Sequence, residues 1–153
     1  MTELHDIALV DVPVGRFLHM QQQHDAMLRE FTLIAMGPAP TASAAPRRLL
    51  GLAEEMQARY GDAGPPFRDA VAAAEARGDV VATIAMQIPF STLRWCEDFL
   101  LLFEEGDDYC RQGHLLTPPS PPEVAEFRRW LVGELIRQIR DGATPTPFWA
   151  GTL

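Results

Sequence analysis

The chain has 153 residues and a net charge of −8, enough for one domain that buries about 68–70% of its unfolded surface without metals or disulfides. That acidic balance, with its arginines dispersed among carboxylates, argues against nucleic acid and anionic membranes as partners, because phosphate neutralisation needs a basic stripe. Lysine and asparagine are both absent, which excludes a P-loop lysine, a Schiff-base lysine and asparagine-held magnesium.

The opening MTELHDIALVDV has neither a basic n-region nor a long apolar core, so it does not read as a signal peptide. Its IALVDV portion has an extended character. A first helix is expected from Val14 to Met36, stopped at Gly37-Pro38, with Phe17, Met20, His24, Met27/Leu28, Phe31 and Ile34/Ala35 along its apolar line. PAPTASAAP follows as a connector. A second helix is expected over Pro46 to Tyr60, carrying Glu55 and Arg59 as a favourable i,i+4 pair. GDAGPP breaks it, and a short Ala-rich helix runs from Pro66 to Arg77.

Residues 80–88, VVATIAMQI, alternate with strand period, and pairing with IALVDV would give a two-stranded ribbon. Such a ribbon is marginal alone, so the helices must carry the stability. The fourth helix places Leu93, Cys96, Phe99, Leu100, Phe103 and Cys110 on one face, with Trp95, Leu102 and Tyr109 flanking them. Its apolar arc is about 200° wide, against ~100° for an ordinary surface helix. An arc that wide needs cover on two sides. The acidic groups Glu97-Asp98, Glu104-Glu105 and Asp107-Asp108 fill the other edge and read as a solvated or ion-paired face, with Arg94–Asp98 and Asp107–Arg111 as i,i+4 pairs.

Ser120-Pro121-Pro122-Glu123 reads as a capping box that opens a fifth helix. Val124, Phe127, Leu131, Leu135 and Ile139 form its buried stripe, while Arg129, Arg137 and Arg140 point outward. Arg128 falls inside the apolar arc, where it either pairs with a carboxylate of the fourth helix or reaches a ligand. Trp130 lies outside the stripe and either forms a second contact surface or covers the Pro-rich turn. The tail, TPTPFWAGTL, is extended, with Phe148-Trp149 folding back onto the helices or onto a partner.

No constellation carries a recognisable reaction. Cys96 and Cys110 lie on one helix about 21 Å apart, too far for a disulfide, and read as core residues. His19 and His24 are about 140° apart around their helix and cannot share a metal as an i,i+4 pair does. His24 reads as a packed core histidine rather than a ligand. There is no nucleophile elbow, Gly-rich phosphate loop or Cys–His motif.

LVDVPVGRFLHMQQQHDAMLREFTLIAM, followed by LLTPPSPPEVAEFRRWLVGELIRQI and TPTPFW, resembles the helical accessory region of actinobacterial anti-sigma-type ATP-binding regulators, of the GHKL serine-protein-kinase-like class. The kinase part of such regulators needs an asparagine-bearing helix and Gly-rich lid boxes, which this chain lacks. The resemblance therefore implies the accessory module alone, without ATP binding or phosphotransfer. It transfers no catalytic residue.

The expected architecture is mostly α, a bundle of about five helices with a small β-ribbon, in a single domain over residues 1–153 with an extended tail from 141. The expected role is a cytoplasmic, non-enzymatic regulatory module acting through protein association, including with a second copy, and without cofactor, metal, nucleic acid or membrane. Trp95, Leu102, Tyr109, Arg128, Trp130 and Trp149 are the candidate partner-binding residues. Two alternatives stay open. One is a small-molecule sensor that binds an apolar ligand between the first and fourth helices at Phe17, His24 and Phe31. The other is a bundle-type metal or haem protein.

Overall fold

A computed structural model describes residues 3–36, 44–60 and 64–149. In chain order the elements are β1 (Leu4–Pro13), α1 (Val14–Ala35), α2 (Ala44–Tyr60), α3 (Gly64–Ala76), β2 (Val81–Pro89), α4 (Thr92–Arg111) and α5 (Pro122–Asp141). The expected helices and both extended segments are present; most bounds fall within two residues of the periodicity that predicted them, while β1 begins three residues before IALVDV and the fourth helix, expected over residues 89–113, is the shorter Thr92–Arg111. The Gly37-Pro38 stop and most of the connector after it lie outside the described residues.

β1 and β2 pair antiparallel, with Leu9 opposite Ile84 and Val12 opposite Ala82. Two residues on β1, Val10 and Asp11, therefore lie opposite one on β2, Thr83, which is a bulge. Asp11 takes the left-handed turn there at φ 53°, a conformation aspartate tolerates, and its amide donates to Thr83 Oγ1 at 3.2 Å. The bulge has a packing consequence. Ile7 and Leu9 are buried at strand spacing, and the extra residue turns Val12 inward as well.

The helices pack in a cycle: α1 against α2 and α5, and α4 against the same two. α1 and α4 therefore lie across from each other. The ribbon covers this arrangement, with β1 against α5 and β2 against α3. Gly106 of α4 lets α1 come close, since a Cβ at that position would lie 2.3 Å from Met27 Sδ. Among the described residues, no helix is long and apolar enough to cross a membrane.

α5 ties the ribbon and the tail to the helices through buried polar contacts. Gln138 Oε1 accepts the Ala8 N–H at 2.9 Å, and Gln138 Nε2 donates to the Ala8 carbonyl at 2.9 Å and to Glu134 Oε2 at 2.9 Å. Glu134 also accepts the Thr146 amide at 3.1 Å and pairs with Arg137 at 2.7 Å. Arg137 in turn donates to the Thr144 carbonyl and the Thr146 hydroxyl. Arg137 is thus a strap for the tail, not the free outward charge that the helical wheel suggests.

Candidate functional site: a buried Arg–His–Asp cluster beside an apolar cavity

Arg128 is 1% exposed and is the largest of the fully buried side chains. Burying a guanidinium is tolerable only when its donors are satisfied. Here Nε donates to His24 Nε2 at 3.1 Å, one terminal nitrogen to Asp107 Oδ2 at 3.0 Å, and the other to Ser120 Oγ at 2.8 Å. Asp107 Oδ1 accepts the Ser120 amide at 3.0 Å and the Ser120 hydroxyl at 2.7 Å. The Phe103 ring lies under the guanidinium at 5.7 Å.

Two local expectations are corrected by this cluster. Ser120 does not cap α5: Pro121 is the N-cap, there is no side-chain cap bond, and the hydroxyl serves Asp107 and Arg128. Asp107 does not belong to a solvated acidic edge. It is 4% exposed, and Arg111 pairs with Asp108 instead. The other two i,i+4 pairs form as expected, Glu55–Arg59 at 3.0 Å and Arg94–Asp98 at 3.6 Å.

The loop between α4 and α5 is fastened to α1 as well. Glu30 accepts the amides of Leu116 and Thr117 and the Thr117 hydroxyl, and Gln23 Nε2 donates to the Pro118 carbonyl at 2.7 Å. Burial alone would raise the Glu30 carboxyl. The three donors outweigh it and hold the group below the usual glutamate range.

His24 is stacked on Phe103, with ring centroids 3.5 Å apart and 7° between planes, and Phe99 presents its edge at 5.5 Å. Burial, and then the Arg128 charge, push its pKa well below the ordinary 6.5. The ring is therefore neutral at pH 7. Its Nε2 accepts from Arg128, so the ring proton sits on Nδ1. The unfolded chain takes up this proton near pH 6.5 while the native chain resists it, so stability is full above that pH and falls on acidification. A His24→Phe variant is expected to show a smaller drop in melting temperature between pH 7 and pH 5 than the parent. Equal drops in the two proteins would remove His24 as the source.

On the other side of His24 lies a cavity of about 320 Å³. Phe17, Met20, Leu28, Phe99, Phe103 and Leu102 form much of its wall between α1 and α4, Trp95 and Met56 contribute further apolar surface, β1 and β2 add Leu9, Met86 and Ile88, and the cavity is partly open to solvent. Polar groups are few: besides His24, these are Gln21, Asp25, Gln57, Arg68 and Thr92.

The residues expected on a partner surface are dispersed by the fold. Leu102 is 2% exposed and Arg128 1%, so neither is on the surface, and Leu102 with Trp95 lines the cavity. Tyr109 stacks on His114 at 4.7 Å. Trp130 stacks on Phe127 and meets the edge of Phe148. Phe148 is buried while Trp149 is 41% exposed, and the Arg16 guanidinium lies over both rings, at 5.2 and 5.4 Å. Of the three pocket candidates, Phe17 and His24 line the cavity. Phe31 does not: it is fully buried, packed beside Met27 and close to Gly106.

Both cysteines are free and buried. Burial, with Glu97 second, pushes the Cys96 thiol up to about 12, and burial with Asp107 and Glu30 pushes Cys110 to about 11. Neither supplies a thiolate at neutral pH. Among the described residues, no three His, Cys, Asp or Glu side chains gather as a metal site.

Comparison with known protein families, with curated proteins and with solved structures finds no match to this chain.

Proposed function

We propose that this chain is a non-enzymatic sensor module that binds one small apolar molecule in the cavity beside His24, with α1, α2, α4 and α5 arranged as a bundle around it. The observation that carries the reading is the cavity itself. Its volume of about 320 Å³ falls at the small end of the ~300–1,000 Å³ typical of ligand sites. Its composition fits that class too, with an apolar, largely aromatic wall and a few polar groups.

Energetics point the same way. The cavity is partly open to solvent, and covering its apolar wall with a ligand is favourable by about 25 cal/mol per Å² of apolar surface removed from water. Whole domains are stable by about 5–15 kcal/mol. An occupant that binds the native state alone adds to that, so occupancy and stability are coupled. In a regulatory module of the kind the sequence resembles, that coupling is the signal.

Thermal denaturation in the presence of small aromatic and short aliphatic compounds tests the reading. A ligand at 100 times its Kd adds about 2.7 kcal/mol, which raises the melting temperature of a chain this size by roughly 5–11 °C. Ala53 borders the cavity, and Ala53→Phe is expected to abolish the shift without lowering the melting temperature of the free protein. No stabilisation by any compound, or an undiminished shift in Ala53→Phe, would count against the cavity as a binding site.

Association with a partner protein or a second copy is the second reading. It rests on Trp149, an aromatic side chain left 41% exposed while Arg16 holds it in place.

A further inference from the structure

The cluster behind the cavity also bears on what the ligand must contain. Arg128 Nε–H occupies His24 Nε2, so the proton on Nδ1 is fixed by the protein. His24 makes no second hydrogen bond among the described residues. Among the described residues the side-chain nitrogen sealed from solvent without a partner is Trp130 Nε1 and not His24 Nδ1, so Nδ1 touches water-accessible space. His24 itself is only 5% exposed, and the cavity is the volume it lines. An N–H bordering a mostly apolar, partly open cavity donates to water in the free protein, and a ligand that displaces this water without supplying an acceptor leaves the group unpaired, which is unfavourable.

From this geometry we infer that the ligand carries a neutral hydrogen-bond acceptor, a carbonyl, ether or phenol oxygen on a small apolar body, which receives the His24 Nδ1–H. Phe103 and Phe99, which fix the imidazole from its face and its edge, also line the cavity, and this favours a flat ring as that body. A carboxylate fits poorly. The nearby Arg128 charge is already matched by Asp107 at 3.0 Å, so an anion placed beside His24 has only the exposed Arg68 of the cavity wall as a counter-charge, and Asp25 on the same wall opposes it. This inference rests on the cavity being a ligand site.

The test compares three probes of similar size on the intact protein: acetophenone, ethylbenzene and benzoate. Acetophenone is expected to bind about three- to tenfold more tightly than ethylbenzene, the ratio one good hydrogen bond gives. Benzoate is expected to bind most weakly. In His24→Phe the preference for acetophenone over ethylbenzene should vanish. A measurement on the unmodified protein guards against misfolding of that variant: the His24 Nδ1 proton resonance should move downfield with acetophenone and stay in place with ethylbenzene. Equal binding of acetophenone and ethylbenzene, or an unmoved proton, overturns the acceptor assignment and leaves the cavity reading intact. Tightest binding by benzoate overturns the neutral-acceptor assignment in favour of an anion site. If none of the three binds, the cavity reading itself falls, and the acceptor with it.

Discussion

Replacing Arg128 with methionine is expected to destabilise the protein by about 3–5 kcal/mol, because it leaves the Asp107 carboxylate, 4% exposed, without its cation. For a chain of this length, that corresponds to a fall in melting temperature of roughly 6–20 °C. Asp107→Leu alone should be comparably damaging, since it strands the guanidinium. The double variant Arg128→Met/Asp107→Leu is the informative one. Removing both charges eliminates the unpaired ion, and buried pairs replaced by packed apolar groups are often neutral or stabilising. Urea denaturation of the four proteins therefore gives a strongly non-additive cycle. Single variants within about 1 kcal/mol of the parent would show that Arg128 is not sealed in the core as described.

The second large effect is expected at Phe127. This ring is fully buried and meets Phe17 at 6.4 Å, Trp130 at 5.8 Å and Phe148 at 5.8 Å. Phe127→Ala should cost about 3–5 kcal/mol in urea denaturation. The loss should also be regional. Phe148 loses the ring that seats the tail, so amide exchange over residues 142–149 should rise more than exchange over α4. Uniform acceleration across the chain would mean that Phe127 supports the fold generally and does not anchor the tail.

Much of the fold was legible in the chain because it follows from local periodicity. Phe17, Met20, His24, Met27 and Phe31 are buried on α1, and Val124, Phe127, Leu131, Leu135 and Ile139 on α5, as helical spacing requires. The ribbon was legible from the alternation in 80–88, although its bulge at Asp11 was not, since one extra residue leaves no mark on composition.

The errors came where a tertiary partner overrode a local rule. Ser120 has every local attribute of a cap, yet Asp107 and Arg128 compete for its hydroxyl and win. Asp107 sits in a run of acids, and only the inward Arg128, visible on the wheel, signalled that one of them had to follow it into the core. Leu102 and Trp95 at the rim of the wide α4 arc are expected to need cover, with a partner as one source of it, and in the fold they line the cavity. A wide arc says that cover is needed, but it does not say whether the cover is a neighbour or an enclosed space. The position of a pocket between α1 and α4 at His24 could be anticipated, because the two apolar lines face each other. Its limits could not, and Phe31 falls on the packed side where Gly106 brings the helices together.

A two-stranded ribbon offers its outer backbone groups to any passing strand, and such edges are where chains join into aggregates. Gln138 reaches the middle of β1 and occupies both the N–H and the carbonyl of Ala8, imitating with a side-chain amide the pairing that a third strand would provide. The sheet is thus ended from within the same chain. A single glutamine on α5 guards β1 against templating a foreign strand at that point, and the guard is itself held in position by Glu134.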